Sequence, residues 1–219
     1  MRNPLRSLSQ LVFAPFWLKR SMSVREWGKR GFEAPSPYWM KRGFLSQQAL
    51  AAPWIETGTY KGDTTLWLAK RFPSVVSLEP DKELFKNART RLGKQKNISL
   101  LNEKSEEGLA RAIDLLDSDT VNFWLDGHFS SGPTFQGSQD TPIHAELHTI
   151  SEYLNSKRLK KVAVFIDDVR LFVTQHRERP GDNNREGYPS LYSLCSWAEN
   201  QGLLWTIEHD ILVARSPAE

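Results

Sequence analysis

From Trp54 onward, short apolar runs alternate with longer segments whose apolar residues recur every three or four positions. The runs Trp54–Thr57, Val75–Glu79, Ile98–Leu101, Val121–Leu125 and Val162–Ile166 have strand length and are rich in β-branched and aromatic side chains. Between them, Thr64–Phe72, Asp81–Leu92, Ser105–Leu116 and Pro142–Leu154 read as helices. In the third of these Leu109, Ile113 and Leu116 fall on one face. A further helix, Leu191–Asn200, opens just after Pro189. The runs Leu203–Ile207 and Ile211–Ala214 are separated only by Glu208–Asp210 and can pair as a hairpin. Five strands separated by helices need crossover connections, which parallel strands require and which place helices over the sheet. The predicted class is α/β: an open, mostly parallel sheet of about seven strands, helices on both faces, and an antiparallel C-terminal edge hairpin.

The first fifty residues break this rhythm. Their large apolar side chains (Phe13, Phe16, Trp17, Trp27, Tyr38, Trp39, Phe44 among them) are interleaved with basic ones, and Pro35, Pro37 and Pro53 bracket an irregular approach to the body. Arg2, Arg6, Lys19, Arg20, Arg25, Lys29, Arg30, Lys41 and Arg42 face only Glu26 and Glu33, a net charge of +7, whereas the rest of the chain nets −4. Two domains are expected: residues 1–50, a basic and mostly helical arm, and residues 51–219, the α/β body. The arm either packs short helices over the core or touches an anionic membrane surface. A cleaved targeting peptide is a third reading, weakened by Pro15 within the apolar stretch.

The 219-residue chain has 39% hydrophobic and 25% charged residues, as a folded domain does, and no apolar run long enough to span a bilayer. Its single cysteine, Cys195, excludes an internal disulfide and a cysteine zinc site. It suits a reducing, cytoplasmic setting, membrane-peripheral if the arm binds lipid. Confining the excess basic charge to one arm argues against a nucleic-acid partner.

In a Rossmann-like sheet the ligand lies beyond the carboxyl ends of the strands. The first strand runs into Glu56-Thr57-Gly58-Thr59-Tyr60-Lys61-Gly62, where Gly58 and Gly62 let backbone approach a ligand closely. The second ends at Glu79, placed to accept both hydroxyls of a ribose. Together these point to an adenosine-containing cofactor. The fourth strand ends at Asp126-Gly127-His128 and the fifth at Asp167-Asp168. Carboxylates gathered at neighbouring strand ends need a cation or a proton between them, and oxygen ligands favour a hard ion. His128 is suited to act as a general base.

Those segments, with Trp124-Leu125 before Asp126 and Phe165-Ile166 before Asp167, resemble the class I S-adenosylmethionine-dependent methyltransferases. Within that class they are most similar to the metal-dependent macrocin O-methyltransferase group, over roughly residues 52–215. The resemblance implies that Glu56, Gly58, Thr59 and Gly62 hold the methionine part of S-adenosyl-L-methionine, Glu79 the ribose, and Ser105 the adenine. It places a divalent cation, with Mg²⁺ expected, on Asp126, Asp167 and Asp168. Asp126 and His128 become the catalytic pair, with His128 standing where that group usually carries Asp. The reaction implied is metal-assisted methyl transfer to a hydroxyl of a sugar, glycan or small natural product.

Two other readings compete. Thr57-Gly58 to Thr64 with Tyr153–Lys157 approximates the pattern of NAD(P)-dependent short-chain oxidoreductases, but Thr64 replaces the third glycine and Tyr153 precedes the fifth strand. The other is a non-catalytic scaffold docked through its basic arm. The loops 129–141 and 174–188, the latter with Arg177, Arg179 and Arg185, are candidates for choosing the acceptor. His144, His148, His176 and His209 form no metal pattern.

Overall fold

In the computed structural model the described residues are 15–126, 141–173 and 188–218. The helices are α1 (Phe16–Lys29), α2 (Tyr38–Gln48), α3 (Asp63–Ala69), α4 (Lys82–Leu92), α5 (Ser105–Asp114), α6 (Ile143–Asn155), α7 (Arg170–Val173) and α8 (Leu191–Asn200). The strands are β1 (Trp54–Thr57), β2 (Val75–Leu78), β3 (Ile98–Leu101), β4 (Thr120–Leu125), β5 (Lys161–Ile166), β6 (Leu204–Glu208) and β7 (Ile211–Arg215). They form one sheet in the order β3-β2-β1-β4-β5-β7-β6. The first five strands are parallel, and β7 is antiparallel to both β5 and β6. This is the expected Rossmann-like architecture with an antiparallel edge.

Central strands covered on both faces must be apolar throughout, and β5 is fully buried from Val162 to Ile166. One face carries the larger core, where Leu109, Ile113, Ile150, Leu194 and Ala198 of α5, α6 and α8 meet Ile55, Phe123 and Val164. The other face carries Trp54, Trp124, Ala163, Phe165 and Val213 against Leu68 of α3 and Phe44 and Leu45 of α2. Residues 38–48 therefore share a core with the body. Asn122, fully buried in β4, ties down the segment between them. Its side chain accepts from the Leu50 amide at 2.8 Å and donates to the Leu50 and Ala52 carbonyls at 3.0 and 3.1 Å.

Element positions follow the sequence pattern closely. The α3 helix stops at Ala69 rather than Phe72, because Pro73 disfavours helical backbone just before it and the last turn winds tightly onto the Leu68 carbonyl. The short α7 carries no periodicity to read. The β6–β7 connection is a two-residue turn at His209–Asp210, both with positive φ (54° and 68°), the conformation matching the twist of a tight hairpin. Among the described residues no helix is long and apolar enough to cross a membrane.

Because Phe44 is buried in the sheet's core, Phe44→Ala should cost about 3–5 kcal/mol. Trp17→Ala, at a largely exposed α1 position, should stay within about 0.5 kcal/mol. Urea denaturation measures both. A cost at Phe44 as small as that at Trp17 would mean that α2 contributes nothing to the core.

Candidate active site

The parallel ladder sets the functional residues in a row. Register pairs Leu101 with Leu78, Leu78 with Thr57, Thr57 with Leu125, and Leu125 with Ile166. The next residue on each strand is therefore Asn102, Glu79, Gly58, Asp126 and Asp167, side by side along the carboxyl edge. The ladder continues through them: the amides of Glu79, Gly58, Asp126 and Asp167 donate to Leu101, Leu78, Thr57 and Leu125. At about 4.8 Å per strand, Glu79 and Asp126 start about 10 Å apart, a nucleoside-sized span. Connections from β1 run to one side of the sheet and those from β4 to the other. The row thus straddles the crevice where strand order reverses.

The turn after β1 places residues 58, 60 and 62 in left-handed backbone, with φ of 94°, 47° and 74°. Gly62 also caps α3, and a Cβ there would lie 2.6 Å from Leu92 of α4, so only glycine permits both the turn and the packing. Left-handed backbone at Tyr60 aims its amide at Glu79, which accepts at Oε2 at 2.7 Å while Oε1 accepts from the Asp81 amide at 3.0 Å. Two fixed N–H groups thus orient a buried carboxylate whose pKa burial raises. Glu56 is enclosed more completely. Its Oε2 accepts from the hydroxyls of Thr65, at 2.5 Å, and Ser77, at 2.6 Å, and the Ser77 hydroxyl lies 2.6 Å from that of Thr59. Burial lifts the Glu56 pKa to about 7, against the pull of those two hydroxyls. Glu56 and Thr59 therefore brace the turn from beneath; Gly58 is half-buried, Gly62 and Glu79 are buried beside it, and Tyr60 and Lys61 are its exposed residues.

At the end of β5 the acids are already paired. The α2 ammonium of Lys41 bonds Asp167 Oδ1 and lies 3.4 Å from Asp168 Oδ1. Arg170 Nη1 donates to Asp168 Oδ1 at 2.6 Å and also bonds Asp210 Oδ2. Burial pulls the Lys41 pKa down, but Asp167, Asp168 and Asp210 outweigh it and hold the amine above its ordinary value. Asp168 has left-handed backbone, which aspartate tolerates, and its amide donates to Asp167 Oδ1 at 2.8 Å. Among the described residues, the carboxylates with oxygens within 4.8 Å of one another are Asp167, Asp168 and Asp210. Asp126 is not in that group. A divalent ion on Asp167 and Asp168 would have to displace Lys41 and sit beside Arg170. As placed, these side chains do not fit it.

Ser105 is buried at the first turn of α5, beyond the end of β3. His128 lies outside the described residues, as do residues 127–140 and 174–187, which hold nearly all of the two candidate acceptor-choosing segments with Arg177, Arg179, Arg185 and His176. Tyr153 sits near the end of α6, just before β5, and its hydroxyl donates to the Ala110 carbonyl at 3.2 Å. That is the opposite edge of the sheet from the row, which leaves the oxidoreductase pattern without a site. Pattern reading missed Lys41, Arg170 and Asp210. In sequence Lys41 reads as one more charge of the arm, although its spacing from Phe44 and Leu45 puts it on the buried stripe of α2. Nothing local marks Asp210, which antiparallel pairing of β7 brings beside Asp168.

No family model matches the chain. Over 112 residues it is 32% identical to the ribosomal RNA small subunit methyltransferase A of Caldanaerobacter subterraneus subsp. tengcongensis, a match covering 51% of this chain and 37% of that protein. The chain thus spans little more than a third of that relative's length. Among solved structures it is similar to a SAM-dependent methyltransferase from Aquifex aeolicus (15% identity, TM-score 0.47, 80% of this chain and 89% of that one). It is also similar to an rRNA methylase from Streptococcus thermophilus (14%, 0.46, 85% and 99%). Aeropyrum pernix fibrillarin with bound S-adenosyl-L-methionine gives 11%, 0.46, 81% and 74%.

Glu56 makes the turn's stability depend on pH. Its pKa is about 7 in the folded chain against an ordinary 4.5, so its contribution is intact below 4.5 and lost as pH rises through 7. The loss amounts to about 3 kcal/mol. In thermal melts from pH 5 to 8, Glu56→Gln should flatten the decline seen in the unsubstituted protein. Equal pH slopes for both would show that Glu56 stays ionised in the fold.

Proposed function

We propose that the chain is an S-adenosyl-L-methionine-dependent methyltransferase acting on a hydroxyl of a sugar, glycan or small natural product. The observation that carries the reading is Glu79, a buried carboxylate held by the Tyr60 and Asp81 amides beside the turn at Gly58–Gly62, where strand order reverses. With both oxygens oriented from behind, it is preorganised to accept two ribose hydroxyls, while the turn's backbone receives the methionine part and Ser105 borders the adenine.

Bound S-adenosyl-L-methionine supplies a methyl already activated on a sulfonium. The chain therefore has to hold the acceptor in line and exclude water. In the transfer the methyl–sulfur bond breaks as the bond to the acceptor oxygen forms, and the hydroxyl proton passes to a base. In this reading Asp126, two residues before His128 in the sequence, orients the imidazole, and His128 takes the proton. No step is assigned to a metal ion.

A second reading, methylation of RNA, is favoured by the 32% identical relative, an rRNA methyltransferase by name. Cofactor binding without turnover on any acceptor would instead support a scaffold.

In calorimetry Glu79→Ala should weaken S-adenosyl-L-methionine binding about tenfold or more. Unchanged affinity would remove the ribose assignment. His128→Ala should slow transfer about 100-fold and leave cofactor affinity within about twofold. A rate that survives the substitution places the base elsewhere. Radiolabelled methyl donor with a cell extract identifies the acceptor: label in the small-molecule or glycan fraction supports the first reading, and label in RNA the second.

A further inference from the structure

The α2 helix buries a stripe of Lys41, Phe44 and Leu45, so one ammonium faces inward among apolar neighbours. A lysine so placed costs more than a leucine or methionine of similar size unless carboxylates receive it. Asp167 and Asp168 do, from residues 126 and 127 positions away in sequence. The helix carrying it is clamped at both ends of the crevice. Near β1, Arg42 donates to the Asp63 carbonyl at 2.9 Å and the Tyr38 hydroxyl bonds that of Thr64, both at the start of α3. Near β7, Phe44 packs edge-on against His209 at the hairpin tip, with ring centroids 6.0 Å apart. Lys41 is thus held in place by its helix and does not reach in from a mobile surface.

We propose that Lys41 is the resident cation of this crevice: its ammonium takes the seat between Asp167 and Asp168 that the resemblance gives to a divalent ion, and methyl transfer by this chain runs without a metal. The inference rests on the methyltransferase reading for its catalytic part only, since occupancy of the seat is a binding property. Lys41 is a positioning residue. By neutralising Asp167 and Asp168 it keeps the acceptor side of the row from carrying an uncompensated double charge. It also makes the second segment of the arm part of the site. Methionine at this position retains most of the stem and removes the charge, leaving Asp167, Asp168 and Asp210 within reach of one another beside Arg170.

Manganese titration followed by electron paramagnetic resonance tests the seat on the full chain. The unsubstituted protein and Lys41→Arg should hold Mn²⁺ no tighter than about 1 mM, and Lys41→Met should bind it about tenfold tighter or more, in a site that Asp167→Asn abolishes. Lys41→Met should also lose methyl transfer at unchanged S-adenosyl-L-methionine affinity and recover part of it when Mn²⁺ is added, a rescue that a purely structural lysine would not show. Micromolar Mn²⁺ binding by the unsubstituted protein, removed by Asp167→Asn, would overturn the proposal whether or not Lys41→Met folds. So would a folded Lys41→Met that binds Mn²⁺ no better than its parent. If no S-adenosyl-L-methionine binds, the methyltransferase reading fails, while the Mn²⁺ titration still decides the role of Lys41.

Discussion

Parallel strands cannot be joined by a tight turn, so each must be followed by a crossover, and in this chain the crossovers leave β1 and β4 in opposite directions. Among the described residues, the segments that follow β1 and β4 diverge from the gap between those two strand ends. The ladder across the gap is in register, so Glu79, Gly58, Asp126 and Asp167 stand at one level along it. The turn geometry, the buried carboxylates and the approach of the arm all act on this opening.

Two glutamates 23 residues apart show how environment divides one chemistry into two tasks. Glu56 is held by hydroxyls, shut off from solvent, and pushed to a pKa of about 7, where it braces the turn and is about half protonated near neutral pH. Glu79 is held by two backbone N–H groups, which favour the charged form and fix its direction. The first supports the turn from beneath, and the second is fixed beside it at the end of β2.

The basic arm is two things. Residues 15–30 place Lys19, Arg20, Arg25, Lys29 and Arg30 on a mostly exposed helix, tied inward by contacts such as Trp27 against His209. Residues 38–48 belong to the sheet's core and send Lys41 to the acids of β5. Counting charge over the first fifty residues merges a solvated surface with a buried ion pair. The two differ by the desolvation that makes a lone buried ammonium untenable.

Periodicity along the chain was enough to determine the strands, most helix limits, the parallel sheet and its antiparallel edge, because these depend on which residues must be buried and how neighbouring segments can be connected. It also located Gly58, Gly62 and Glu79, since a strand-to-helix turn marks its own carboxyl end. Tertiary structure alone decided what neutralises Asp167 and Asp168. The counter-charges Lys41 and Arg170 come from a helix before the body and from a turn too short for periodicity, and the hairpin turn before β7 brings a third acid, Asp210, beside residue 168. Coulomb interactions depend on distance in space and not along the chain, so a charge's partner cannot be read from its neighbours in sequence.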